Sequence, residues 1–283
     1  MNTTEYLSKW AISYKDDIIN NIMPFWMKYG LDREHGGVYT CVNRDGSLID
    51  TTKSVWFQGR FGFIAAYAYN NIEKNPQWLA ASKSCIDFIE AHCFDTDGHM
   101  FFEVTEDGKP LRKRRYVFSE GFAAIAMAEY ALATGEKEYA KKALDIFKRT
   151  LHFLNTPGFL EPKYLPTLPS KGHSITMILI NTASRIRMVI DDPSLTEQID
   201  TSIAALRKYF IHPEFKALLE MVGPDGEFID TCNGRVINPG HCIETAWFIM
   251  EEAKYRNWDK DLLQLALQIL DWSWEWGWDK EFG

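Results

Sequence analysis

The side chains best placed to do chemistry lie in Asn238-Pro239-Gly240-His241-Cys242-Ile243-Glu244, where a loop enters a helix. Pro239 suits a first helical position, since its missing N–H would have no partner there and its φ is already near helical. Asn238 before it is a natural N-cap. His241 and Glu244 stand i, i+3 apart and share a face one turn deep, so the carboxylate could orient the imidazole for proton transfer near neutral pH. A structural ion pair at a helix start would have the same spacing.

Three earlier segments repeat the design: Ser54-Val55-Trp56-Phe57-Gln58-Gly59-Arg60, Phe118-Ser119-Glu120-Gly121-Phe122 and Gly172-His173-Ser174-Ile175-Thr176-Met177. Each opens an otherwise apolar helix and carries an ionisable group near that opening. If the helices stand in a ring, Arg60, Glu120, His173, His241 and Glu244 meet at one mouth, which costs less than burying unpaired charges separately. Plainer roles exist for each. Arg60 could brace Glu120, Ser119 and Glu120 could cap their helix, His173 could be an ordinary helix-start residue, and Asn181 could be a satisfied core amide. His35, His92, His99, His152 and His212 fall in turns or on amphipathic helices and receive no role.

The elements that hold these groups are helical. Residues 4 to 29 space Tyr6, Leu7, Trp10, Ile18, Ile22 and Phe25 as one face of an amphipathic helix, with that face buried and Gly30 as a left-handed stop. Residues 54 to 72 are apolar nearly all round, which predicts full burial. The alternation continues: 76 to 93 amphipathic, 119 to 134 small and apolar, 137 to 154 amphipathic, 173 to 190 mainly apolar, 195 to 211 amphipathic, 240 to 253 apolar at first, 259 to 276 amphipathic. Between the pairs a glycine turn recurs, at Gly37, Gly98, Gly158, Gly226 and Gly283, with spacings of 61, 60, 68 and 57 residues. That is an internal repeat of a helix pair plus a hairpin. Asn43-Arg44-Asp45-Gly46 has hairpin-turn chemistry.

Repeated pairs build either an open superhelix or a closed toroid. Apolar helices at every second position favour closure, and with no Pro, Gly or Ser linker residues 1–283 read as one domain. The expected class is all-α, an (α/α)6-type barrel with short β-hairpins between pairs. Six pairs of about 60 residues would need about 360, so the chain is expected to lack its last one or two pairs.

A net charge of −8 offers no basic field for a phosphate backbone, which argues against nucleic-acid partners. The basic run Lys109 to Arg115 is short and reads as a solvated turn. Five cysteines without CxxC or zinc spacing read as reduced thiols. No apolar window spans a membrane and the N-terminus has no signal-peptide core, so a cytoplasmic location is expected.

The segments WFQGR, SEGFAAIAMAEYA, HPEFKALLEMVGPDGEF at 212 to 228 and above all NPGHCIETAWF resemble the N-acylglucosamine 2-epimerase family. That resemblance runs along the whole chain and extends to cellobiose 2-epimerases and aldose–ketose isomerases. It implies an (α/α)6 barrel and a sugar 2-epimerase in which His241 is one of two proton-exchanging histidines. Glu244 and Arg60 match active-site positions, and Trp56, Glu120, His173, Asn181 and Glu220 are the implied substrate-binding set. The second histidine of the family lies on a last inner helix beyond residue 283. No metal and no required cofactor is implied; a nucleotide, ATP, is a candidate activator, a small sugar is the partner, and a homodimer is admitted.

The chemistry is consistent with those residues. Epimerisation at C2 needs a weakly acidic proton removed beside a carbonyl and returned on the other face; a histidine can do either, Glu244 could fix its tautomer, and Arg60 could stabilise the developing oxyanion. Two other classes compete: a glycoside hydrolase using Glu120 and Glu244 as an inverting pair, and a noncatalytic sugar-binding fragment.

Overall fold

The computed structural model describes residues 2–113 and 116–283. In chain order the elements are α1 (Thr3–Asp17), a π-helical stretch (Ile18–Ile22), α2 (Met23–Tyr29), β1 (Cys41–Val42), β2 (Leu48–Asp50), β3 (Lys53–Ser54), α3 (Val55–Asn71), α4 (Pro76–His92), β4 (Phe101–Val104) and β5 (Pro110–Lys113). There follow α5 (Phe118–Thr134), α6 (Lys137–Asn155), β6 (Lys171–Gly172), α7 (His173–Arg187), α8 (Pro193–Ala205), a second π-helical stretch (Leu206–Phe210), β7 (Ile211–His212), β8 (Ala217–Leu218), β9 (Met221–Val222), α9 (Pro239–Tyr255) and α10 (Lys260–Gly277). The periodicity-based helices recur within a few residues. One predicted helix, 4 to 29, is instead interrupted by the π-helical stretch, where the Met23 N–H donates to the Ile18 carbonyl. Pro24 follows at once. It has no N–H to give the preceding turn, and widening that turn makes room for its ring.

The strands pair antiparallel as β1-β2, β3-β4-β5, β6-β9 and β7-β8. The basic run predicted as a turn is partly strand, because Pro110–Lys113 is β5 and pairs with β4; Arg114 and Arg115 lie outside the described residues. All five cysteines are unpaired. Among the described residues no helix is long and apolar enough to cross a membrane.

The chain forms two compact units, Met1–Leu160 with Met188–Ile190, and Glu161–Arg187 with Asp191–Gly283. In the first, α3 packs against α4 and α5, and α5 against α6. The α3–α5 approach depends on Gly59, where an added Cβ would lie 2.6 Å from both the carbonyl carbon and the Cβ of Phe122. Gly59→Ala should therefore destabilise the unit by about 1–3 kcal/mol through overpacking, seen as a lower thermal midpoint with unchanged far-UV dichroism at low temperature. An unchanged midpoint would mean the helices can separate freely.

Full burial holds for α5, which is covered from Ser119 to Ala131 without a break. It fails for α3, where Phe57 and Ile64 are 43% and 49% exposed on a stripe shared with Arg60. On α9, Ile243 and Trp247 are exposed likewise. The helix 54 to 72 was expected to be enclosed; its neighbours α4 and α5 cover only two of its sides. The N-terminal face also departs from expectation. No residue of α1 is buried, and Tyr6, Leu7 and Trp10 stand open. Burial begins at Met23, which joins Ala65, Ala68, Trp78 and Ala81.

The repeat is real in backbone conformation. Gly37, Gly98, Gly158, Gly226 and Gly283 all have positive φ, the region where only glycine is unstrained. The first and last copies share an Asp-centred turn. Asp32 Oδ1 accepts from the Glu34 and His35 amides at 2.9 and 3.0 Å, and Asp279 Oδ1 from the Glu281 and Phe282 amides at 2.9 and 3.0 Å. Gly30 is not left-handed as predicted, with φ −85°. It is glycine for space, since a Cβ there would sit 2.5 Å from the Trp26 ring. Beneath the first turn, Lys53 is wholly buried, and its Nζ donates to Asp32 Oδ2 at 2.7 Å, the Gly36 carbonyl at 2.8 Å and the Glu106 carbonyl at 2.9 Å.

In the second unit α7 packs against α8 and α9, and α9 against α10. Glu252 of α9, buried, is paired with Arg187 of α7 at 2.5 Å and with Arg256 at 2.6 Å.

Candidate active site

The run Ala217-Leu218-Leu219-Glu220-Met221-Val222 is apolar except for one acid. Its two ends are strands, β8 pairing with β7 and β9 with β6, so Gly172 lies opposite Met221. This brings Glu220 beside the start of α7, where the His173 amide donates to the Glu220 carbonyl at 3.0 Å. The start of α9 is held against the same run. Asn238 Oδ1 caps the His241 amide at 3.3 Å, as its N-cap chemistry predicts, and the buried Cys242 thiol donates to the Leu218 carbonyl at 3.5 Å.

The Glu220 carboxylate therefore stands between two histidines. His241 Nδ1 lies 3.1 and 3.0 Å from its two oxygens, with side chains 36% and 24% exposed respectively for His241 and Glu220. Burial alone would push the Glu220 carboxyl up; His173 and His241 beside it outweigh that and hold it down at about 2. An ionised carboxylate only accepts, so Nδ1 of His241 carries the proton and, in the neutral ring, Nε2 carries the lone pair. That tautomer makes Nε2 a base.

His173 is fully buried. Its Nε2 is 2.8 Å from Thr245 Oγ1, and that hydroxyl donates its single proton to the His241 carbonyl at 2.8 Å. Nε2 of His173 must then be the donor to Thr245. Its Nδ1 faces Glu220 Oε2 at 3.7 Å, too far for a hydrogen bond, and has no hydrogen-bond partner among the described residues. The two rings lie 6.4 Å apart, and Phe210 packs edge-on to His173 at 5.8 Å.

The carboxylate on His241 Nδ1 is thus Glu220 and not Glu244, the residue its i, i+3 spacing suggested. Helical side chains lean toward the N-terminus, which carries the imidazole back over the Glu220 run, whereas Glu244 sits half-buried one turn further along α9. Glu220 is 21 residues from His241, so no local spacing signals the pair. The available signal is a lone acid inside an apolar run, which needs a partner. Thr245 carried no signal at all.

In the first unit, Glu120 is not braced by Arg60. Its Oε1 accepts from His99 Nδ1 at 2.6 Å and from the Met100 amide at 2.7 Å, and the residue is 1% exposed. Glu120 therefore braces the 95 to 102 turn through Oε1, while its buried Oε2 has no hydrogen-bond partner among the described residues. His99, which had been given no role, is its partner. Ser119 does not cap α5 either; its hydroxyl donates to the Phe101 carbonyl at 3.0 Å. Arg60 lies exposed with its guanidinium 4.2 Å over the Phe122 ring. Trp56 sits among Phe102, Phe118 and Phe122, with centroids 5.1, 5.3 and 5.9 Å away. Asn181 is half-buried two turns into α7, and its carbonyl accepts from the Ser184 hydroxyl at 2.9 Å.

Helix pairs joined by glycine turns define the class: an all-α protein of the (α/α) barrel type, here with a carboxylate-held histidine at a helix start. The chain belongs to the N-acylglucosamine 2-epimerase (GlcNAc 2-epimerase) family, whose model matches residues 37–283. The N-acylglucosamine 2-epimerase of Rattus norvegicus is 29% identical over 274 residues, covering 94% of this chain and 65% of that protein. The cellobiose 2-epimerase of Eubacterium cellulosolvens is 29% identical over 160 residues, 53% of this chain and 37% of that one. A solved cellobiose 2-epimerase from Bacillus thermoamylovorans matches with a TM-score of 0.82 at 20% identity, over 95% of this chain and 73% of that structure. Cellobiose 2-epimerases have the (α/α)6 barrel fold, and the helix pairs seen here are of that type. The chain spans about two thirds of the length of the curated N-acylglucosamine 2-epimerases it matches.

Proposed function

We propose that this chain carries carbohydrate 2-epimerase chemistry, interconverting N-acylglucosamine and N-acylmannosamine by loss and return of the C2 proton. The observation that supports it is the contact of His241 Nδ1 with both oxygens of Glu220, at 3.1 and 3.0 Å. In the open-chain sugar the aldehyde acidifies the C2–H. Nε2 of His241 takes that proton, the C–H electron pair moves into the C1–C2 bond, and the carbonyl electrons move to oxygen. Return of a proton to the same face restores the sugar, and return to the opposite face gives the epimer. Glu220 is a positioning residue in this scheme: it holds the tautomer and favours the imidazolium that forms. Arg60 and Glu244 as active-site positions, and Trp56 and Asn181 as sugar contacts, rest on the family resemblance alone. A cytoplasmic location, a homodimer and activation by a nucleotide belong to the same proposal.

The test is exchange at C2. N-acetylglucosamine and N-acetylmannosamine are each incubated with the chain in D2O and followed by proton NMR. Exchange needs only one competent base on one face, so it reports on His241 apart from net epimerisation. At least one of the two sugars should lose its C2–H signal faster than in buffer; exchange of neither would remove the proposal, and exchange of only cellobiose or mannose would shift it to those substrates. Glu220→Gln should lower the exchange rate on the order of a hundredfold while leaving KM little changed, because the amide can donate to Nδ1 and so favour the wrong tautomer.

A further inference from the structure

His173 Nδ1 is a fully buried nitrogen with no hydrogen-bond partner among the described residues, aimed at a carboxylate. Such an atom calls for a reason, and a bound ion is one. We propose that His173 Nδ1, Glu220 and His241 Nδ1 form a three-ligand site for a divalent transition cation of the zinc class, open on the side of the half-exposed His241. The three donor atoms lie within 4.8 Å of one another. Ligands held about 2.1 Å from a common zinc ion stand about 3.0–3.4 Å apart. The His241–Glu220 separation of 3.0 Å is already in that range, and the His173–Glu220 separation of 3.7 Å needs only a small inward movement.

The surroundings are those of a ligand set. His173 donates its other ring N–H to Thr245, so in the neutral ring, the form that binds a cation, the Nδ1 lone pair faces inward, the arrangement that metal-binding histidines take from an outer hydrogen-bond partner. Two imidazoles and one carboxylate suit borderline cations better than calcium or magnesium, which prefer oxygen. Another His-carboxylate cluster, Asp32, His35 and Glu106, lacks these properties. There the Lys53 ammonium is already 2.7 Å from Asp32, and the Tyr39 hydroxyl donates to Glu106 at 2.6 Å.

The cation also has a consequence for activity. Coordination at Nδ1 of His241 moves the ring proton to Nε2 and removes the lone pair that would take the C2 proton. Loss of activity on binding rests on His241 being the base, whereas binding itself does not.

The experiment titrates the tag-free chain with Co2+, without sugar, reading visible d–d absorption and calorimetric stoichiometry. One equivalent should bind. His241→Ala, which alters a half-exposed side chain, and Glu220→Gln should each weaken binding by at least ten- to a hundredfold, as should Thr245→Val through His173. His35→Ala should leave affinity and stoichiometry unchanged. Absence of a d–d signal, retention of full affinity in His241→Ala, or its loss in His35→Ala would overturn the site. C2 exchange is then measured in EDTA and with added Zn2+. Exchange in EDTA that Zn2+ suppresses supports both claims; Co2+ binding without exchange in EDTA leaves the site standing and removes the epimerase chemistry; exchange that Zn2+ leaves unchanged overturns the inhibitory consequence.

Discussion

His241→Ala should lower the rate of C2 deuterium exchange by about 10²–10⁴-fold, the usual contribution of a positioned general base. The side chain is about one-third exposed and the helix start is capped through the backbone by Asn238, so the substitution should leave the fold intact. Far-UV dichroism and the urea midpoint provide that check. Glu220 in this variant loses its closest partner but keeps His173 nearby. The informative comparison is with Glu220→Gln: if Glu220 acts through His241, the double variant should be little slower than His241→Ala alone. A His241→Ala chain that exchanges within threefold of the parent would show that another group is the base.

Lys53→Met should destabilise the first unit by about 3–5 kcal/mol, because it leaves a buried carboxylate without its cation. Asp32 is 4% exposed, and among the described residues only the Lys53 ammonium and the more distant His35 ring pair with it to bring positive charge. Burial pushes the Asp32 carboxyl up, but the Lys53 bond and the His35 and Glu34 amides outweigh it and hold it below its usual range. A depressed carboxyl contributes stability that is complete above its ordinary value of about 4 and is lost as pH falls through the folded value. Parent stability should thus decline below about pH 4, and Lys53→Met should flatten that decline. Lys83→Met is the matched surface control: its partner Asp87 is 56% exposed, so the expected cost is at most about 1 kcal/mol. Equal urea midpoints for the two variants would contradict the buried-pair account.

The sequence by itself determined what is local. Helix positions followed from three- and four-residue spacing, the cap at Asn238-Pro239 from the chemistry of adjacent residues, and the repeat from glycines whose positive φ no other residue tolerates well. The NPGHCIETAWF segment carried the family. These features are legible because each depends on neighbours a few positions away. Tertiary structure decided which groups meet. Glu220 rather than Glu244 holds His241, and His99 rather than Arg60 holds Glu120, because the hairpins fold strands from distant positions against the helix starts. Hydrogen bonds between groups 21 residues apart leave no periodic trace. The same limit explains α1 and α3. Spacing tells which apolar side chains share a face, but burial depends on whether another element lies against that face, and only the folded chain supplies it.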